Sequence, residues 1–350
     1  MSPLGLGIVG CGHVAEVAHL PALARVPSVE VVAVFDADRS RAARAAGGAT
    51  VHGSLGALVA DPRVEAVAVL VPPSDHLPVA AAALDAGRHV LVEKPLALRT
   101  SDAEELVARA TVAGVVAMTG FNLRRLAVVR RAREVLSSGA LGELEALRSV
   151  VTSARRFDAS APEWRRRREL GGGSFVEQGV HHFDLWRHLL DDEVETVVAF
   201  GQDADAGAAV TARMRGGVLV QSTFSERTTP VHSVEVFGRE ACLRLSLTRF
   251  DGLELLPVEG GGESAPATRG RALASTLRAL PRGLAELRRG GVFARSYVEQ
   301  WEDFAAAVRS GRPASPDFAD GLRALEIALA AARSADEGRP VGVGADLAAR

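Results

Sequence analysis

Lysine is nearly absent from this chain of 350 residues: of its 41 basic residues only Lys94 is a lysine, and the others are arginines. Asparagine is reduced to Asn122, and isoleucine to Ile8 and Ile327. All three have A/T-rich codons, so drift in a GC-rich genome toward Arg, Asp and Val accounts for the scarcity. It leaves two readings of Lys94. One is a chance survivor, as the lone Tyr297 shows can occur. The other is a position where arginine fails, because Arg is always protonated and forked whereas Lys is a compact charge whose pKa falls readily on partial burial. The rest of the chain has to choose.

Other shortages bound the class. Two cysteines, Cys11 and Cys242, are too few for a disulfide framework or a zinc cluster and suit a reducing compartment. The 41 basic residues meet 43 acidic ones, a net charge of −2 that speaks against a nucleic-acid or polyanion partner. No run approaches the ~20 apolar residues of a membrane helix. The opening Met1-Ser-Pro-Leu-Gly-Leu-Gly has no basic n-region and reads as no signal peptide. The expectation is a soluble cytoplasmic protein of about two domains. A hydrophobic content of 47% is ample for their cores.

What is present begins with a strand-loop-helix pattern. The apolar run from Leu4 to Val9 leads into Gly10-Cys11-Gly12-His13-Val14-Ala15 and then a helical stretch to about Arg25. This is G-x-G-x-x-A. Gly10 permits the tight turn, Gly12 lets the backbone approach a pyrophosphate, and Ala15 lets the helix pack on the sheet. The motif alone is weak. A second strand, Val29 to Phe35, then ends in Asp36. That is about 20 residues on, where a carboxylate meets a ribose 2′-hydroxyl. Asp36 favours NAD, while Arg39 and Arg41 keep NADP open.

The alternation continues with strands over 64–71, 89–92 and 115–119. Pro72 and His76 follow the first of these, Glu93-Lys94-Pro95 the second, and Gly120-Phe121-Asn122 the third. Ligands of open α/β sheets bind at the carboxyl ends of the strands, so Lys94 and Asn122 share an edge with the glycine loop. His76 reads equally well as a cofactor contact or as a helix-start capping residue. Ser101 and Glu104 predict a capping box for the next helix.

Past Gly142 strands follow one another, over 145–151, 195–200, 208–214, 217–225, 233–238, 241–247 and 253–258, which predicts a separate α+β domain. One helix interrupts them: Gly171-Gly-Gly-Ser-Phe-Val-Glu177-Gln-Gly-Val-His181-His182-Phe-Asp184. Glu177 and His181 are four apart, hence on one helix face, with Asp184 a further three on. A carboxylate orienting a proton-moving histidine is a recurrent acid/base arrangement. The triple glycine suits close approach of a flat ligand. A metal is not expected, since one helix offers too few ligands facing one point. His182 and His188 read as surface pairings. Trp164 and Arg165, before a run of arginines, could reach the site. The leucines from 273 to 287 predict an amphipathic excursion broken at Pro281, packing on its own domain. Tyr297 to Val308 predicts a helix with Trp301 and Phe304 on one face. Ser315-Pro316 predicts the start of the last one, Ser as N-cap and Pro at N1.

These segments together resemble the glucose–fructose oxidoreductase / inositol dehydrogenase / rhizopine-catabolism family (Gfo/Idh/MocA). The most specific are Ala86 to Pro95, with its Glu-Lys-Pro, and Gly171 to Asp184, similar to the family's G-G-G…D-x-G-x-H-x-x-D. Glu177 stands where the family has aspartate, a departure that adds a methylene.

The resemblance implies a Rossmann dinucleotide-binding domain over 1–122. It also implies an α+β domain with a mostly antiparallel open sheet over 123–350, whose final helix packs back on the first. Lys94 and His181 are then catalytic, with Glu177 holding the imidazole. Gly10, Gly12, His13, Val14, Asp36, Pro72, His76, Glu93, Lys94 and Asn122 face the cofactor, and Asn122, Trp164, Arg165 and Asp184 face substrate. A cis peptide before Pro95 and a homodimer or homotetramer through the open sheet face also follow. The implied activity is hydride transfer between NAD(P) and a secondary alcohol of a sugar, inositol or related polyol. NAD-dependent glycoside cleavage by transient oxidation and a non-catalytic NAD/sugar-sensing regulator are the rivals.

Overall fold

The computed structural model describes residues 2–154, 163–202, 206–249, 251–259 and 290–344, with scattered positions between 270 and 283. Apart from those positions, the leucine excursion lies outside the described residues.

Six parallel strands form the first sheet: β1 (Leu4–Val9), β2 (Val29–Phe35), β3 (Thr50–Val51), β4 (Ala66–Val69), β5 (His89–Val92) and β6 (Ala117–Thr119), in the order β3-β2-β1-β4-β5-β6. Every residue of β1 and β4 is buried. Both faces are covered, as continuous Val/Leu/Ala runs require of a parallel sheet. Only the two-residue edge strand β3 is absent from the sequence pattern.

The second sheet contains β7 (Leu144–Thr152), β8 (Val194–Gly201), β9 (Gly207–Met214), β10 (Leu219–Ser225), β11 (Val231–Gly238), β12 (Ala241–Ser246), β13 (Leu253–Pro257) and β14 (Val341–Gly342). Its order is β13-β12-β11-β7-β10-β9-β8-β14. The neighbours pair antiparallel except for β7 and β10, which run parallel. Strands β9 and β10 alternate buried and exposed residues, as a sheet with one open face should.

Two late helices return to the first sheet. Tyr297, Trp301 and Phe304 of the helix Gly291–Ser310 pack with Leu4, Leu6 and Ile8 of β1. Each such aromatic contributes about 1.5–3 kcal/mol by burial. The helix Phe318–Glu337 places Phe318 and Leu325 against Val90 and Val92, and Ile327, Ala328 and Ala331 in the core of the second sheet. It therefore ties the two sheets together.

Two helix termini and one burial differ from expectation. The helix Thr100–Ala113 begins at Arg99, without a side-chain cap, because Ser101 already lies inside its first turn. The last helix is capped by Asp317 and Asp320 in a reciprocal box, so Ser315 and Pro316 precede it. His182, expected on the surface, is 1% exposed; its Nε2 lies 2.9 Å from Nε2 of His232 on β11.

Candidate active site

The glycine loop follows β1. Gly10 has φ +91°, and a Cβ there would sit 2.7 Å from the backbone of Leu70 and Val71 at the end of β4. A side chain is excluded twice over, by conformation and by space. A Cβ on Gly12 would meet nothing within 4 Å. That open backbone, with exposed His13 and partly buried Val14 beside it, fits a pyrophosphate at a helix N-terminus. Asp36, just past β2, closes the loop from the other side. Its carboxylate accepts the backbone N–H of Cys11 at 2.7 Å and of Asp38 at 2.7 Å. Burial, with help from the Asp36 charge, pushes the Cys11 thiol up to about 11, so the residue between the two glycines is an inert filler.

Lys94 leaves the carboxyl end of β5 through a cis bond to Pro95. Its Nζ donates to the backbone carbonyl of Glu177 at 2.9 Å. Glu177 lies in a short π-helix, Ser174–Gly179, which runs into the helix Val180–Leu190 carrying His181. The His181 ring meets Phe121, just past β6, edge-to-face at 6.0 Å between centroids. Two strand ends of the first sheet thus converge on one segment packed against the second. Burial first, then the Lys94 charge and those of His182 and His232, holds the His181 imidazole well below the usual histidine range. At neutral pH it is an uncharged base.

The expected Glu177–His181 pair does not form. Nδ1 of His181 is buried without a hydrogen-bond partner, and the Glu177 carboxylate lies 3.3 Å from Nε of Arg165 instead. The carboxylate is drawn to the guanidinium of Arg165, whose backbone packs closely against Gly172. The triple glycine also has another use. A Cβ on Gly172 would fall 2.3 Å from the Arg165 carbonyl oxygen, and one on Gly171, at φ +96°, 2.9 Å from Pro73. Gly171 and Gly172 thus admit a proline ring and protein backbone. Arg165 and Trp164 are drawn in by the same contacts, the guanidinium lying 5.3 Å over the indole ring.

Four further expected site residues face inward. Asn122 is 1% exposed and donates from Nδ2 to Oγ of Ser296 at 2.9 Å. Asp184 is 1% exposed and takes both oxygens to Arg124, at 2.8 and 2.5 Å. Arg124 in turn reaches Asp320, which also holds Arg187. His76 braces two strand ends: Nδ1 lies 2.8 Å from the carbonyl oxygen of Pro95 and Nε2 3.1 Å from that of Val71. Burial pushes its pKa down. Glu93 is also buried, with one oxygen 2.9 Å from Nε2 of His19 and the other accepting the Lys94 N–H at 3.1 Å. Pro72, by contrast, is exposed at the end of β4. Sequence reasoning missed His19 and Arg124. Nothing local marks them, since their partners lie 74 and 60 residues away. Among the described residues no group of three or more His, Cys, Asp or Glu could hold a metal, and no helix is long and apolar enough to cross a membrane.

Known proteins match this arrangement over most of the chain. Residues 4–121 match the GFO/IDH/MocA profile described as an oxidoreductase family with an NAD-binding Rossmann fold, and residues 129–244 match the GFO/IDH/MocA C-terminal domain. Myo-inositol 2-dehydrogenase of Thermotoga maritima is 28% identical over 351 residues, covering 96% of this chain and 97% of that protein. A 1,5-anhydro-D-fructose reductase of Ensifer adhaerens is 32% identical over 280 residues, 72% of this chain and 82% of that one. The crystal structure of GenD2 from gentamicin A biosynthesis, in complex with NAD, superposes with a TM-score of 0.81 at 28% identity, over 99% and 97% of the two chains. The chain belongs to the GFO/IDH/MocA family of oxidoreductases, and its first sheet with the glycine loop is that family's NAD-binding Rossmann fold.

Proposed function

We propose that this enzyme oxidises a secondary alcohol of a sugar, inositol or related polyol, or reduces the matching ketone, with Lys94 and His181 as its catalytic pair. The observation that carries the reading is the 2.9 Å bond from the Lys94 ammonium to the Glu177 carbonyl. It draws the one lysine of the chain to the segment that leads into His181. The relatives named for myo-inositol and 1,5-anhydro-D-fructose support the substrate class.

Bound NAD+ supplies the hydride acceptor. The neutral His181 imidazole takes the hydroxyl proton; with Nδ1 enclosed, Nε2 is the nitrogen for that transfer. The Lys94 ammonium lowers the alcohol pKa and stabilises the developing oxyanion, a contribution worth several kcal/mol away from water. Proton transfer adds ~10²–10⁴-fold. Glu177 contributes its backbone carbonyl, which aims Lys94, and its carboxylate, which anchors Arg165.

The purified protein, incubated with NAD+ and a panel of inositols and hexoses, is expected to produce reduced nicotinamide absorbance with at least one of them. Lys94→Arg keeps the charge and the cofactor affinity but loses most of kcat. Parent-like turnover by that variant would remove Lys94 from the mechanism. Cofactor binding with no turnover of any polyol would favour a sensor.

A further inference from the structure

Behind Lys94 lies a buried pair that the reaction as described does not use. His19 is 0% exposed and Glu93 6%. The two meet at 2.9 Å through Nε2 and Oε1. The rings of Tyr297 and Trp301, on the helix Gly291–Ser310, hold the imidazole edge-on with centroids at 5.0 and 5.7 Å. Its other nitrogen, Nδ1, is buried without a hydrogen-bond partner. A carboxylate only accepts, so Nε2 carries the proton and Nε2–H donates to Glu93. As core packing this is a poor arrangement, since a leucine would fill the space without desolvating an ionised group. Burial works to raise the Glu93 pKa, and the hydrogen bond from His19, together with the Lys94 charge and N–H, overcomes it. The carboxylate thus stays ionised behind the lysine.

Position gives the pair its use. His19 closes the π-helix Ala15–His19, which begins at the last residue of the glycine motif. Glu93 is the residue before Lys94, and its second oxygen accepts the Lys94 N–H at 3.1 Å. We propose that His19 is a positioning residue for Lys94: it fixes the Glu93 carboxylate, and through it the angle at which Lys94 leaves the strand end. The glycine-loop segment and the lysine are thereby one rigid unit. The inference rests on the reading of Lys94 as catalytic.

The test uses the full chain with NAD+ and whichever polyol of the panel is turned over. His19→Leu fills the volume without a donor, and His19→Gln restores an N–H at similar reach. We expect His19→Leu to lower kcat at least tenfold while the NAD dissociation constant, read by fluorescence titration, stays within threefold. His19→Gln returns kcat to within threefold of the parent. In a Lys94→Ala background His19→Leu causes no further loss, because the group it positions is gone. Should His19→Leu not fold, His19→Asn, whose amide falls short of Glu93, takes its place with the same expectation. Parent-like kcat in the variant lacking the donor, no gain from glutamine, or losses that multiply with Lys94→Ala would each overturn the proposal. Failure of the underlying reading is visible separately, as parent-like turnover by Lys94→Ala alone.

Discussion

Asp184→Asn separates a structural from a substrate-binding role at the most deeply buried carboxylate near the site. Asp184 is 1% exposed, and Arg124, which grips it with two nitrogens, is 5% exposed. Burial raises the Asp184 pKa, and the Arg124 guanidinium opposes it. An amide of the same shape keeps one acceptor but turns an NH2 group toward a guanidinium N–H. One charge-assisted hydrogen bond is lost, worth about 1.5–3 kcal/mol. The Arg124 charge is then left to Asp320, which it already shares with Arg187 at 3.1 Å. Breaking one side of a buried pair costs about 3–5 kcal/mol, so about 3 kcal/mol is the expected loss for this partial break. With an unfolding entropy of ~2.1 cal/mol/K per residue, a chain of this length loses roughly 4 °C in Tm for that change. Urea and thermal unfolding followed by circular dichroism measure it, with kcat/KM determined on the folded fraction. The expected outcome is that stability falls by about 3 kcal/mol while kcat/KM stays within about threefold. A stability change below about 1 kcal/mol combined with a tenfold loss of kcat/KM would refute the assignment of Asp184 to the Arg124 network.

Two further outcomes follow from the glycine loop and from His181. Gly10→Ala places a Cβ against the Leu70–Val71 backbone at positive φ and should cost about 1–3 kcal/mol, seen as a lowered Tm. Gly12→Ala meets nothing in the protein, so its Tm should match the parent while NAD affinity drops at least tenfold by titration, roughly 1.4 kcal/mol or more. Equal behaviour of the two variants would contradict the division of labour. For His181 the folded pKa lies well below the ordinary 6.5, so the base is neutral at and above that pH. kcat should then be flat above pH 6.5 and fall on an acid limb below it. Removing the Lys94 charge in Lys94→Ala should move that limb to higher pH. The same sign governs stability: the contribution of neutral His181 is complete above the unfolded pKa and is lost as pH falls toward the folded one. An acid limb centred above pH 6.5 in the parent would exclude His181 as the base.

Much of this protein is legible without coordinates because its signals are local. The run Leu4–Val9, the two loop glycines and Asp36 specify strand, turn and acid within one stretch of chain. The valine-rich strands announce a sheet buried on both faces, and the break in alternation near Gly142 announces the second sheet. Lys94 could be placed at a strand end by topology alone. The departures share one cause, which is that partners of buried polar groups are set by packing between distant segments. Glu177 and His181 have α-helical spacing, yet the Arg165 guanidinium, on the segment packed against Gly172, takes the Glu177 carboxylate and leaves His181 Nδ1 without a partner. Asn122 reads as a site residue by position, but the helix Gly291–Ser310 offers Ser296 to its amide and turns it inward. Asp184 looks like a partner of His181 three residues away until Arg124 takes both its oxygens. The sequence by itself determined the scaffold, the cofactor loop and the candidate lysine and histidine, since periodicity and turn chemistry are written in neighbouring residues. Only the tertiary structure decided which charges meet: Lys94 with a carbonyl, Glu177 with Arg165, and Glu93 with His19. Those pairings depend on side chains that come together only once both sheets and their shared helices have packed.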